Sequence, residues 1–324
     1  MKKVISAICT LALAALVFAG CSAAAEPQTV KIAALSGPTG IGMSQMIVEG
    51  VNLGDKVTAE FTVSTAPDQV VASVINGDYQ IASVPTNAAA TIYNKTEGAI
   101  VLGAVNTLGT LSILADKGEG IGSIADLKGK TIVATGQGST PEYVLNYLFT
   151  KNGLTPGQDV TIQWLGEHAE AAAKLASGEA TIAMLPQPFA TATLAKNSNL
   201  TNAVDLTKAW EDATGSKLEM GCIVVNKEWA EKNQKVFKQF MEAYQKSVDT
   251  INTADEKAGQ LVVDAGIMES AALAQKAIPN CAITLIAPGD AKEDLQTYYE
   301  ALASYDAKSV GGKVPDETFY SISY

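Results

Sequence analysis

The chain reads as an α/β protein, with parallel-rich sheets carrying helices on their faces. Two observations predict this. From Thr29 onward, short apolar runs of strand character alternate with stretches of helical periodicity. The order of the first set of runs then recurs in a second: strand, Gly-rich turn, helix, strand, helix, strand, Pro-containing turn, helix. With 47% hydrophobic and 18% charged residues, the 324-residue chain can bury substantial cores in one large domain or two moderate ones.

The elements follow in order. Residues 30–35 (VKIAAL) form a buried strand, Gly37-Pro38-Thr39-Gly40 a turn, and residues 42–51 a helix. Residues 61–64 form a short strand, 68–77 a helix ended by its final glycine, 79–84 a strand and 87–93 a helix. Two more strands span 100–105 and 110–115. The second unit starts with a short helix at 124–130 and a strand at 131–134. A Gly-rich turn at 136–141 then opens a helix over 142–151. Strands at 160–164 and 180–185 flank a helix at 168–177 closed by Gly178, and another helix runs to Ala195. Residues 221–226 (GCIVVN) form a returning strand. Residues 227–250 read as one long amphipathic helix on Trp229, Val236, Phe240 and Tyr244, with further helices through Tyr305. Phe319, Tyr320 and Tyr324 in the tail are expected to dock on the core.

At the other end, Lys2 and Lys3 precede an apolar run over 4–18, broken only by Ser6, Cys9 and Thr10. The run ends in Phe18-Ala19-Gly20-Cys21. A basic start, a short apolar run and small residues make an export signal; a spanning helix needs about 20 apolar residues. Net charge is −11, and removing Lys2 and Lys3 with no acid takes it to −13. Such a surface argues against nucleic acid, which requires clustered cations. All 23 basic residues are lysine, so bidentate guanidinium clamps on an anion are excluded. An anionic ligand must be held by lysine, hydroxyls or backbone amides. Cys9 leaves with the signal; Cys222 and Cys281 are either a disulfide or two buried small hydrophobes, and spacing does not decide between them. Residues 136–140 (GQGST) are not a Walker loop, because no lysine precedes Ser139-Thr140. Without HExxH, paired cysteines or a GxSxG elbow, no metal, cofactor or catalytic residue is expected.

Two long stretches carry a family resemblance. SIADLKGKTIVATGQGSTPEYVLNYLF (123–149) and AAAKLASGEATIAMLPQPFAT (171–191) are similar to the substrate-binding proteins of nitrate, sulfonate and thiamine-precursor ABC importers. Phe18-Ala19-Gly20-Cys21 resembles the bacterial lipobox, with Phe18 where that pattern prefers Leu. The resemblance implies a type II periplasmic-binding-protein fold: two lobes, a ligand cleft and two hinge crossings. Residues 1–20 would be the signal peptide and 21–28 a tether lipidated (palmitate) at Cys21. Residues 29–115 with 224–324 would form lobe 1 and 116–223 lobe 2, with crossings near 115–120 and 222–226. The implied protein is a monomer anchored by lipid on the extracytoplasmic face of the bacterial cell membrane. It would deliver a small polar organic ligand, anionic or aromatic, to the membrane permease of an ABC importer. It would use no cofactor and bind no nucleic acid. The alternatives are a ligand-sensing lobe for a receptor and an enzyme like thiamine-pyrimidine synthase; the sequence lacks the histidine- and cysteine-rich pattern of the latter.

Ligands of open α/β sheets bind beyond the carboxyl ends of the strands. Helix N-termini there present unpaired N–H groups and partial positive charge. On this geometry the lobe 1 candidates are Ser36, Gly37, Thr39, Gly40 and Met43 after the first strand, Thr65 with Pro67 after the second, and Pro85, Thr86 and Asn87 after the third. Thr86 and Asn87 suit a helix cap equally well. The lobe 2 candidates are Gln137, Gly138, Ser139 and Thr140, then Glu167 or His168, then Pro186, Gln187 and Pro188. Ser139 or Thr140 also suits a cap ahead of Pro141. His168, the single histidine, suits a cap or surface position rather than a catalytic one. Trp164 is either an aromatic wall of the cleft or part of a core.

Overall fold

The computed structural model describes residues 27–324; the expected signal peptide, Cys21 and most of the expected tether lie outside the described residues. The first sheet starts with β1 (Gln28–Leu35), parallel to β2 (Val57–Ser64) and β3 (Ile81–Pro85). Helices α1 (Pro38–Ile41), α2 (Ser44–Glu49) and α3 (Pro67–Ile75) connect them. α4 (Thr86–Lys95) leads to β4 (Ile100–Leu108). The chain then crosses through Gly109 and Thr110 into a second sheet. That sheet contains β5 (Leu111–Asp116), β6 (Thr131–Thr135), β7 (Thr161–Leu165), β8 (Ile182–Pro186) and β9 (Leu200–Asp205). Its helices are α5 (Thr140–Lys151), α6 (His168–Ser177), α7 (Phe189–Lys196) and α8 (Leu206–Thr214). The return strand β10 (Glu219–Asn226) rejoins the first sheet. It is followed by α9 (Lys227–Lys232), α10 (Gln234–Ile251), α11 (Glu256–Asp264), α12 (Ala271–Ala277), β11 (Ile283–Ile286) and α13 (Pro288–Tyr305).

The strand orders are β11-β4-β10-β3-β1-β2 and β7-β6-β8-β5-β9. Each sheet has a parallel half and one antiparallel strand that has just crossed from the other lobe: β10 lies between β3 and β4, and β5 between β8 and β9. This is the two-lobed periplasmic-binding architecture with its cleft between the sheets.

The structure moves the crossings. β5 was expected in lobe 1, yet it pairs with β8 and β9, so the outward crossing is Gly109-Thr110. The return falls between α8 and β10, at residues 215–218. β4 and β5 are both buried apolar strands separated by two residues, so no change of composition marks the transfer. A Cβ on Gly109 would overlap the Thr207 side chain, which is why the crossing requires glycine there. The helix expected over 227–250 is two helices. Asn226 caps the first through Trp229 N–H, and Asn233, at φ −122° and ψ 39°, interrupts the run while donating to the Trp229 carbonyl. β9, α8 and β11 have no counterpart in the sequence reading, because β9 and β11 are short and half-buried and α8 is half polar.

The aromatic tail docks as expected. Phe319 is fully buried, with its ring 5.3 Å from Tyr93 and 6.1 Å from Tyr299. Burying such a side chain contributes about 1.5–3 kcal/mol. A second aromatic group, Trp210 of α8 with Tyr147 of α5 and Tyr298 of α13, joins elements of both lobes at 4.9 and 5.9 Å. Cys222 and Cys281 are free thiols, both buried, so they act as small hydrophobes.

Candidate functional site

A cavity of about 620 Å³ lies between the sheets, where β1, β3, β6 and β8 end. Its floor is formed by the crossing strands through Thr107, Thr110, Leu111 and Met220. Of the residues expected at the site, Ser36, Thr39, Pro67, Pro85 and Asn87 line it from lobe 1, and Gln137, Gly138, Ser139, Thr140, His168 and Pro186 from lobe 2. The others lie elsewhere. Gly40 and Met43 are buried behind the wall, because α1 turns them inward; a Cβ at Gly40 would overlap the Leu35 carbonyl. Gly37 contributes backbone geometry, its φ of 101° letting β1 turn into α1. Thr65 is exposed and does not line the cavity. Thr86 is fully buried, its carbonyl accepting from Tyr299 Oη at 3.0 Å. Gln187 folds back on α7, its Oε1 accepting from Thr191 N–H at 3.3 Å and Oγ1 at 2.8 Å. Trp164 packs against the core and does not line the cavity.

Local structure explains what each lining residue offers. Asn106, fully buried, donates from Nδ2 to the Thr39 carbonyl at 2.9 Å and so fixes the first loop. Ser36 Oγ donates to the Ile267 carbonyl at 3.2 Å. Ser139 occupies the N-cap position of α5 but spends its hydroxyl hydrogen on the Gly136 carbonyl at 2.7 Å. Gly138 N–H donates to the Glu142 carboxylate at 2.6 Å. The N–H groups of Thr140 and Glu142 belong to the first turn and lie beyond reach of the helix's own carbonyls. Thr140 Oγ1 lies 3.0 Å from Asn87 Oδ1 and 2.8 Å from Tyr298 Oη.

Of the two candidates at the start of α6, Glu167 and His168, it is His168 that reaches the cavity. It is the first residue of α6 and lines the cavity. Its Nδ1 is hydrogen-bonded to Thr135 Oγ1 and its ring packs at a tilt against Phe189, with centroids 5.4 Å apart, leaving Nε2 as the uncommitted ring atom. Burial lowers its pKa against the opposing pull of Glu167, which favours neutral imidazole. Sequence alone left the choice between Glu167 and His168 open, because β6 and β7 aim the start of α6 at the cleft, a tertiary fact. The sequence reading also did not reach Thr107, Thr110 or Met220, which follow from the strand exchange.

Asp68 is, among the described residues, the one side chain lining the cavity, besides His168, that carries a formal charge or titrates near neutrality, and no lysine lines it. Among the described residues no three His, Cys, Asp or Glu side chains converge on a metal position. Behind the floor, Glu219 opens β10 opposite Leu108, where the two crossings meet. It is fully buried, and neither carboxylate oxygen has a partner. Burial first and Asp294 second push its pKa up to about 8, with Lys217 opposing. A second depression, about 500 Å³ on the outside of lobe 2, is lined by Lys151, Lys208 and Asp212. It receives no ends of the parallel strands, and its Lys208 is already paired with Asp212.

Residues 50–271 match the family described as "ABC transporter, phosphonate, periplasmic substrate-binding protein". No curated protein sequence matches the chain. Among solved structures, an ABC transporter protein from Parabacteroides distasonis is 23% identical with a TM-score of 0.78, covering 91% of this chain and 99% of its own. The periplasmic aliphatic sulphonate binding protein of Escherichia coli is 17% identical with a TM-score of 0.72, covering 89% and 90%. The alkanesulfonate-binding protein of Xanthomonas axonopodis pv. citri, bound to MOPS, is 16% identical with a TM-score of 0.64, covering 87% and 94%. At these identities the structural matches establish the fold.

Proposed function

Since the chain belongs to the family of periplasmic phosphonate substrate-binding proteins of ABC importers, we propose that its cleft captures a small organic oxyanion, a phosphonate or sulfonate, for delivery to the permease. One observation carries the ligand class: the N-termini of α4, α5 and α6 meet at one cavity that has no lysine in its lining. Each terminus offers unpaired amides and about half a positive charge. A tetrahedral anion is neutralised there by dipoles and amides without a cation. Asn87 and His168 Nε2 stand at two of these termini as side-chain donors. Asp68, on the lobe 1 rim, repels anions and disfavours a ligand that reaches toward α3 with a second negative group.

The finer parts of the assignment belong to the same reading. Phe18-Ala19-Gly20-Cys21 supports an acylated Cys21 that holds the protein at the outer face of the membrane, with residues 1–20 removed as a signal peptide. The same reading takes the protein as a monomer whose role is binding rather than turnover, the latter in keeping with the family's description as substrate-binding proteins.

The test is a thermal-shift screen of the chain from Ala23 onward against methylphosphonate, methanesulfonate, nitrate and choline. A ligand at 100 times its dissociation constant stabilises the fold by about 2.7 kcal/mol, a clear rise in melting temperature. Phosphonate or sulfonate should give that rise and choline none. A shift with choline alone would overturn the oxyanion reading.

A further inference from the structure

The hydroxyls behind the cleft raise a question of proton accounting. Thr140 Oγ1, at the start of α5 in lobe 2, lies 3.0 Å from Asn87 Oδ1 in α4 and 2.8 Å from Tyr298 Oη in α13. Tyr298 is 0% exposed and Thr140 3%. Asn87 is half-buried and lines the cavity. Each hydroxyl has one proton to give, and the carboxamide has two faces. If Tyr298 donates to Thr140 and Thr140 to Asn87 Oδ1, both buried protons are used. The reverse has Asn87 Nδ2 donate to Thr140 and Thr140 to Tyr298. It leaves the Tyr298 proton with no acceptor in a closed interior, the expensive outcome for a buried donor. The first arrangement is therefore held by the accounting itself, independently of how the amide is drawn.

We propose that Tyr298 and Thr140 are positioning residues that lock the Asn87 carboxamide with its NH₂ toward the cleft. Asn87 is thereby a specificity-determining donor that donates to an oxygen of the ligand and rejects a ligand N–H or ammonium at that point. Asn87 Nδ2 makes no hydrogen bond among the described residues, so both of its protons are available. Neighbouring hydroxyls do not compete for the role, since Ser139 Oγ donates to Gly136 and Tyr143 Oη to the Gly138 carbonyl. The relay joins α4 to α5 across the lobes, so the orientation is fixed in the lobe arrangement that also assembles the cavity. Thr140 contributes through Asn87 and its own backbone N–H, with its hydroxyl fully committed.

The proposal rests on the oxyanion reading for its ligand class but not for the orientation, and two measurements separate them. The first uses ligand-free protein with asparagine side chains labelled with ¹⁵N. The Asn87 NH₂ protons should exchange with water as freely as exposed primary amides, in the wild type and in Thr140→Val alike. Protection in the wild type that is lost in Thr140→Val would mean that Nδ2 faces Thr140, and would overturn the proposal. The second is calorimetric titration with methylphosphonate and methanesulfonate. Asn87→Ala should weaken binding about tenfold or more, and Asn87→Asp further, because it puts an anionic acceptor where the donor stood. Thr140→Val should cost about two- to tenfold by freeing the amide to rotate, while Thr140→Ser restores affinity to within about threefold. Asn87→Asp binding the anions as well as the wild type does, with an unchanged melting temperature, would overturn the proposal. Failure of the wild type to bind any oxyanion would instead remove the ligand reading, and amide exchange would still decide the orientation.

Discussion

Replacing Glu219 with glutamine should flatten the dependence of stability on pH between about 4.5 and 8. The carboxyl is fully buried at the meeting point of the two crossings, with both oxygens unpartnered and Asp294 as its nearest like-charged influence. Its pKa rises from the ordinary 4.5 to about 8 in the folded protein. Between those values the folded state holds a proton that the unfolded chain has released. Stability is therefore full below pH 4.5, falls as pH rises, and levels off above 8. At 1.36 kcal/mol per unit this sets a ceiling of about 5 kcal/mol. Relaxation at the hinge that admits water lowers the expected loss to about 2–3 kcal/mol. Glutamine carries no charge at any pH. Its unpartnered amide costs about 1–3 kcal/mol throughout, so the readout is slope and not height. Urea denaturation at half-unit steps from pH 4.5 to 9, with m held common, gives the curve for each protein. His168 and the surface carboxylates are shared and cancel in the difference. Parallel curves for wild type and Glu219→Gln would refute the reasoning, because they would show Glu219 ionised or solvated in the folded state.

Other substitutions test other parts of the structure. Gly40→Ala should destabilise by about 2 kcal/mol or more in thermal unfolding, since its Cβ would overlap the Leu35 carbonyl and backbone must move. Phe319→Ala should cost about 3–5 kcal/mol in urea titration, because the ring is fully buried against Tyr93 and Tyr299. Anion affinity should strengthen as pH falls through the range where the bound anion raises the lowered pKa of His168, and His168→Ala should remove that dependence in calorimetry. Cys21→Ser should move the protein from the membrane fraction to the soluble fraction while ligand binding is kept; retention on the membrane would count against the lipid anchor.

Elements whose signals are local were legible in the sequence. The helix from His168 to Ser177 was bounded by its periodicity and by Gly178, which takes the left-handed conformation at φ 80°. The strand-turn-helix pattern placed Ser139 and Thr140 at the start of α5 and Asn87 in the first turn of α4, and all three line one cavity. Tertiary arrangements were not legible. β5 belongs to lobe 2 because of its partners β8 and β9, and its own residues read the same in either sheet. Gly40 looked like a turn residue because the four-residue helix α1 has too little pattern to reveal which side faces the core, and the same lack of pattern left the burial of Met43 at the start of the next helix unseen. The choice of His168 over Glu167 was not legible, because Thr135 and Phe189, distant in sequence, aim the His168 ring. The partners of the Thr140 hydroxyl, Asn87 and Tyr298, lie 53 and 158 residues away.

The central claim, that the helix N-termini of both lobes hold an oxyanion between them, is tested most directly by crystals grown with methylarsonate and measured at the arsenic edge. The expected result is one strong anomalous peak between the lobes, within hydrogen-bonding distance of the Thr140 amide, Asn87 Nδ2 and His168 Nε2. A peak confined to the outer depression beside Lys151 and Lys208, with the cleft empty under saturating ligand, would contradict the claim.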